Sequence, residues 1–320
     1  MKKVNKIIAM LICISILSSI CSIMGYAFED EEEFSIENYT WNDIMTMSNA
    51  DFRELLTNFE RVYDPFGTYE TNPITAIYDE NGNSSSVQPR WTSGNEEHSE
   101  TGSHELITAR ACGIVLDDKG FWGSDENGSI LIALIISLAS IIPDTNNELG
   151  LQQLFEGHFY DPETGKSFTG SATNTAKTNA QYFYNQAKTV GFDNENFLEY
   201  VGCMLHYVQD ACVPHHAANI TGLNLAHPQF ESFADDNLNS YIDSLTTINE
   251  SVYNDRLDKS IGTIVHDSAT VAKGFSSLVD NIFDKTHWGT VAMNTTRLAV
   301  IQSATVLYKL SIDAGIPLTK

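Results

Sequence analysis

Basic residues are scarce in this chain. Lysine and arginine number 18 against 42 aspartates and glutamates, which gives a net charge of −24 and an isoelectric point near 4.5 over 320 residues. A polyanion repels phosphate backbones, so general nucleic-acid binding by electrostatics is excluded. Cysteine is sparse as well: of five, Cys13 and Cys21 lie in the first 27 residues, leaving Cys112, Cys203 and Cys212. That is too few for a disulfide framework, and an odd remainder leaves at least one thiol unpaired. After those first residues, long hydrophobic stretches are also lacking. The most apolar one, Ile130 to Ile142, has 13 residues and as a helix covers only about 20 Å, short of a membrane span. It predicts a buried helix, stopped by Pro143. Disorder of the whole chain is excluded by what is present, 42% hydrophobic and 10% aromatic residues.

The amino terminus has the pattern of a secretory address. Lys2, Lys3 and Lys6 precede the apolar run Ile7 to Ile20, and Gly25-Tyr26-Ala27 supplies small residues at a cleavage spacing. Residues 1–27 are therefore expected to be a signal peptide and the protein secreted and extracellular. The competing reading, a membrane anchor, meets an apolar core shorter than a span needs. Ile20 is too bulky before Cys21 for a lipid anchor.

Residues 28–90 differ in character from the rest of the chain. They open with the acidic run Glu29 to Glu33, and Phe52, Leu55, Leu56 and Phe59 share one face of a helix expected over Asn49 to Tyr63. The stretch ends in turn formers, Asn81-Gly82-Asn83-Ser84-Ser85-Ser86, and then Gln88-Pro89-Arg90, of the kind proteases cut. We read 28–90 as a pro-segment, with an accessory domain that stays attached as the alternative. From Trp91 the periodicity is mostly helical. Helices are expected from a Ser103 cap to about Asp117, at 130–142, 172–190, 195–212, from Pro228 at a first helical position to about Leu245, and at 259–284 and 289–312. A long irregular stretch, 144–170, interrupts them. The fold expected over 91–320 is a single compact all-α, multi-helix domain.

All nine histidines lie downstream of the pro-segment. His206 and Asp210 are four apart on one predicted helix, and His227 and Glu231 are four apart on the next, so each pair shares a face. His215 and His216 lie between them, where the chain turns after Pro214. Imidazole and carboxylate together are the donor set of hydrolytic zinc sites, which keep positions open for water. One such pair is usually a surface ion pair. Two pairs within 26 residues, with histidines between them and beside an apolar helix face, point to a metal.

The motifs then become specific. His206-Tyr207-Val208-Gln209-Asp210, Pro214, His216-Ala217-Ala218-Asn219, His227 and Glu231 resemble the zinc-dependent phospholipase C family, which includes the bacillary phosphatidylcholine-preferring enzyme and the clostridial alpha-toxins. Asp144, the element His158-Phe159-Tyr160-Asp161-Pro162 and His104 match its upstream positions. Trp91, thirteen residues before His104, stands where the family's mature chain begins. The likeness is strong over 91–236 and weaker beyond.

The resemblance implies three zinc ions per chain. One is expected on Asp144, His158, His206 and Asp210, a second on Asp210, His104 and Trp91, and the third on His216, His227 and Glu231. His215 is the alternative to His216, whose spacing of ten from His206 matches the family. Trp91 can serve only as a free amino terminus, because an amide nitrogen in an Arg90–Trp91 bond has a delocalised lone pair. An activating protease is thus an expected partner. Asp144 is also the candidate general base, and the chemistry of such ions is a water made acidic and phosphate oxygens clamped for in-line displacement.

The substrate implied is a phospholipid, phosphatidylcholine or a relative, at a membrane surface or in a micelle. The products would be diacylglycerol and a phosphorylated headgroup, made by a monomer. Of the family's choline pocket only Phe155 is retained; Gly94 and Thr145 stand where it has a glutamate and a tyrosine, so choline preference is not expected to carry over. A chain that ends near the helical domain is expected to lack the toxins' extra lipid-binding domain, and with it strong haemolysis. His98, His266 and His287 are read as ordinary polar residues. From Trp91 on the chain carries 12 basic and 28 acidic residues, which favours zwitterionic over anionic lipid. Two alternatives remain: a secreted single-strand nuclease of the same zinc architecture, and a zinc-stabilised binding protein without turnover. Against the nuclease stand Glu231 in place of aspartate, the HFYDP element and the acidic surface.

Overall fold

A computed structural model describes residues 34–63, 103–120, 122, 125–145 and 155–318. The expected signal segment, the turn-rich tail of the pro-segment, Trp91, Gly94 and His98 lie outside the described residues.

The chain enters through a 3-10 turn, Ile36–Asn38, and then α1, Trp41–Thr46. Thr40 caps α1 by accepting from the Asp43 amide while the Asp43 carboxylate accepts from the Thr40 amide. Helix α2, Asn49–Tyr63, forms where the periodicity places it, with Phe52, Leu55, Leu56 and Phe59 all buried. Helix α3, Ser103–Lys119, is buried on every side from Ser103 to Val115, as a helix at the centre of a body must be. Asp125 caps α4, Glu126–Ala139, through the Gly128 amide. By length and composition Glu126–Asp144 is apolar enough to cross a membrane, but 61% of that window is buried inside the protein. It is the buried helix expected. It ends at Ala139 and not at Ile142, and Pro143 is not its stop: the proline falls at the second position of the short α5, Ile142–Thr145, where its missing amide costs nothing.

Helix α6, Ala176–Val190, starts after a Thr175 cap and ends at Gly191, whose φ of 75° suits glycine. Helix α7, Phe197–Asp210, stops short of Pro214, which takes the first position of α8, Pro214–Ala217. The remaining helices are α9, Ala226–Asp236; α10, Leu238–Ile242; α11, Glu250–Leu257; α12, Ile261–Lys273; α13, Ser276–Val279; and α14, Trp288–Ala314. Among the described residues no strand forms, only an isolated bridge between Asp161 and Lys166. The all-α expectation is met.

Helix α7 is the hub: it packs on α6, α4 and α14, while α3 packs on α14 and α4. At Gly202 the α7 backbone approaches α4 so closely that a Cβ would lie 2.3 Å from that of Ala139. Cys112, Cys203 and Cys212 are free and buried.

Further helix boundaries differ from the expectation. Helix α9 begins at Ala226, so Pro228 is its third residue, still within the first turn where no amide needs an intrahelical partner. The stretch expected as one helix to Leu245 breaks at Asn237, and that expected over 259–284 breaks after Lys273 and ends at Val279. Helix α11 was not expected from the sequence. Only its Tyr253 is buried, so the sequence carries no apolar stripe there.

Candidate metal centre

Six elements converge on one buried region. Helix α3 supplies His104 in its first turn, α5 Asp144, the 3-10 turn Phe155–His158 its last residue, α7 His206 and Asp210, α8 His216, and α9 His227 and Glu231. Helical spacing does the local work. His206 and Asp210 project from one face of α7 one turn apart, and His227 and Glu231 do the same on α9.

Three groups of side chains bring their ligand-type atoms within 4.8 Å of one another: His104, His206 and Asp210; Asp144, His158 and His206; and His216, His227 and Glu231. Asp210 joins them. Its Oδ2 lies 2.8 Å from His158 Nδ1 and 3.1 Å from His206 Nε2. Its Oδ1 lies 3.1 Å from His216 Nδ1 and 3.8 Å from His104 Nε2. Asp144 Oδ1 stands 3.7 Å from His158 Nδ1 and 3.6 Å from His206 Nε2. In the third group Glu231 Oε1 is 2.8 Å from His227 Nε2 and 3.3 Å from His216 Nε2.

Two of the histidines are oriented from behind. His206 Nδ1 donates to the Ser140 carbonyl at 2.8 Å, and His104 Nδ1 donates to Gln209 Oε1 at 2.7 Å. Gln209 is itself held, donating through Nε2 to Thr108 Oγ1 and Ser303 Oγ. With Nδ1 protonated, the lone pair of each ring lies on Nε2, the atom aimed at the carboxylates.

Burial and neighbouring charge compete here. Burial pushes the Asp144 carboxyl up, although His206 and His158 pull the other way. Asp210 is held well below the usual carboxylate range: burial opposes this, but His206, His158 and His216 prevail. Glu231 is lowered too, by His227 and His216 against burial. Asp210 and Asp144 overcome burial at His206 and raise it to about 9, and Asp210 with Glu231 raises His216 to about 10. Burial and the neighbouring His206 lower His104 to about 3.

Both ring nitrogens of His216 and Nδ1 of His227 are buried and complete no hydrogen bond. Such groups are costly in a dry interior unless something satisfies them. Imidazoles that give up a proton to face anionic carboxylates fit a divalent cation of the nitrogen- and oxygen-binding kind, which takes the proton's place. The donor set therefore accommodates a metal in each group.

The structure brings together eight of the nine residues expected to bind metal, and Trp91 lies outside the described residues. His216, not His215, joins the third group. His215 is buried behind it, its ring parallel to that of His227 at 4.9 Å and 5°. His266 lies elsewhere, its Nδ1 2.9 Å from the Tyr160 hydroxyl, and His287 is exposed at the start of α14. Phe155 opens the 3-10 turn that carries His158. Three buried polar residues were given no role from the sequence: Gln209, named only as part of the motif; Glu105 beside His104; and Asp235, one turn beyond Glu231. For Asp235 the signal existed, since His227, Glu231 and Asp235 repeat at four-residue spacing.

Comparison with known proteins meets the motif reading. Residues 135–275 match the model of the zinc dependent phospholipase C family. A phospholipase C of Bacillus cereus is 29% identical over 159 residues, 47% of this chain and 54% of that protein. One from Clostridium novyi is 26% identical over 245 residues, 67% of this chain and 60% of its own. The chain thus spans little more than half the length of these relatives. Among solved structures, the alpha toxin from Clostridium absonum superposes with a TM-score of 0.58 at 23% identity, over 68% of this chain and 64% of that one. An alpha-toxin of Clostridium perfringens, from an avian strain, gives 0.54 at 25% identity over 68% and 65%. The shared fold is all-α.

Proposed function

We propose that the protein is a secreted zinc-dependent phospholipase C that hydrolyses phosphatidylcholine or a related phospholipid to diacylglycerol and a phosphorylated headgroup. One observation carries this reading: three groups of histidine and carboxylate donors meet through Asp210, and all of them but His104 lie inside the stretch 135–275 that matches the zinc dependent phospholipase C family. Asp144, His158, His206 and Asp210 would hold one zinc, Asp210 with His104 and a freed Trp91 amino terminus a second, and His216, His227 and Glu231 the third. Bound there, zinc supplies a Lewis acid that makes a water nucleophilic near neutral pH and steadies phosphate oxygens.

The chain's own residues supply the rest. Ser140 and Gln209 fix the rings of His206 and His104, so that two donors are oriented before any substrate arrives. Asp144 is 10% exposed, against 1% for Asp210 and 0% for Glu231. It can exchange a proton with solvent, which suits a general base. Phe155, the first residue of the turn that carries His158, is the residue we assign to the substrate. Residues 1–27 would be removed on secretion, and an activating protease would cut after Arg90, freeing Trp91 at the head of a monomeric 91–320 body.

The test uses protein recovered from the medium. Phosphorylated headgroup released from phosphatidylcholine micelles, abolished by a chelator and restored by zinc, with no nucleotides released from single-stranded DNA, is the expected result. Nucleotide release without headgroup release would establish the nuclease. Tight zinc with neither activity would leave the binding protein.

A further inference from the structure

We infer that helices α1 and α2 stay bound to the body after the chain is cut, as a second, non-covalent chain of the mature protein. The inference rests on reading 28–90 as a processed segment, but its evidence lies in how that segment is seated.

A leader that is discarded should rest on a surface that is complete without it. This one does not. Ile36, Trp41, Ile44, Phe52, Leu55, Leu56 and Phe59 are each no more than 7% exposed and belong to the same continuous core as residues of α3, α4, α7 and α14. Helix α3 is notched to receive the segment: a Cβ at Gly113 would lie 2.3 Å from Met45 Sδ, so the missing side chain is the space that Met45 fills.

The polar contacts agree. Arg110 on α3 is only 4% exposed, and its guanidinium donates to the Met45 carbonyl and, at 3.1 Å, to Asp243. The Trp41 amide donates to the Glu126 carboxylate of α4 at 2.9 Å, and Asn239 of α10 donates to the Met47 carbonyl at 3.3 Å. Side chains from three helices of the body thus hold the backbone of 41–47. Main-chain partners of that kind do not depend on the segment's own side chains. Without the segment, Arg110 would lose one of two partners in a buried position, a costly loss, and both pieces would present a large apolar face to water.

The experiment uses the full-length protein with a specific protease recognition sequence placed within the turn-rich stretch 81–90. After cutting, the pieces are run on gel filtration in native buffer and in guanidinium chloride. Co-elution in native buffer and separation only in denaturant is the expected result. An N-terminal piece that elutes alone from a folded body in native buffer overturns the proposal. Met45→Glu places a charge in the Gly113 notch, and after cutting it should weaken retention of the piece about tenfold or more. Retention equal to the wild type would remove the notch as a cause and count against the proposal. The engineered cut does not depend on natural processing. Whether Arg90–Trp91 is ever cleaved is read separately, by amino-terminal sequencing of secreted protein.

Discussion

Gln209 shows how a side chain that touches no metal can govern one. Its Oε1 accepts from His104 Nδ1, and its amide is anchored on Thr108 and Ser303. Gln209→Leu keeps the bulk but leaves a buried ring N–H unpaired, so zinc affinity should fall about 10–100-fold, the usual cost of losing such support. Gln209→Glu, which retains an acceptor, should recover most of it; competition against a chelator of known affinity measures both. A zinc affinity unchanged in Gln209→Leu would refute the role. The metal-free protein should also respond to pH in a defined direction. His206 and His216 are raised to about 9 and about 10, so the stability they contribute is complete below about 6.5 and lost as pH rises through those values. Glu105, which burial raises to about 8, acts in the same direction. Urea unfolding of chelated protein should therefore show stability falling between about pH 6.5 and 9. Metal binding needs those same rings deprotonated, so the increment gained on adding zinc should grow over that window. The ligand pairs were legible in the sequence because helix geometry alone puts residues four apart on one face. Ser140 and Gln209 were not, because their partners lie 66 and 105 residues away along the chain.

At the level of helices, the centre depends on how closely α7 can approach α4. A Cβ on Gly202 would fall 2.3 Å from the Ala139 Cβ and 2.6 Å from its carbonyl carbon, contacts that only a backbone shift relieves. The Ser140 carbonyl that orients His206 is the next residue along, so forcing the helices apart also disturbs the metal groups. Gly202→Ala should cost about 1–3 kcal/mol in urea unfolding and lower zinc content with it. An alanine variant with wild-type stability would show that the contact yields easily. Most helices were readable because their apolar residues recur at helical spacing and their ends carry Thr175, Gly191 or Pro214. The breaks at Asn237 and after Lys273 fall on the helix-ending residues Asn237 and Gly274, a signal outweighed in the sequence by apolar periodicity that continues past both. Helix α11 escaped notice for the opposite reason. It is polar almost all round, and only Tyr253 is fully buried, its hydroxyl donating to Asp118 at 3.0 Å.

For the molecule as a whole, charge bears most directly on the phospholipid substrate proposed above. The chain carries −24, and the part from Trp91 on has 28 acidic residues against 12 basic ones. Three zinc ions held by the groups around Asp210 would offset six of those charges and leave the surface strongly anionic. Anionic lipid surfaces carry a negative potential of their own, so like charge lowers the concentration of enzyme at the interface before any chemistry begins. Phosphatidylcholine vesicles should accordingly be hydrolysed faster than vesicles of the same size enriched in phosphatidylglycerol. The origin of the difference can be isolated with salt. Repulsion across solvent is screened within about 10 Å at 0.1 M salt and about 3 Å at 1 M, so the gap should narrow steadily as sodium chloride is added. A preference set by the headgroup pocket would persist unchanged, because contacts inside the site are too short and too dry to be screened. Initial rates on both vesicle types across a salt series separate the two causes. A salt-independent preference for phosphatidylcholine would assign selectivity to the pocket around the metal groups and not to the acidic surface.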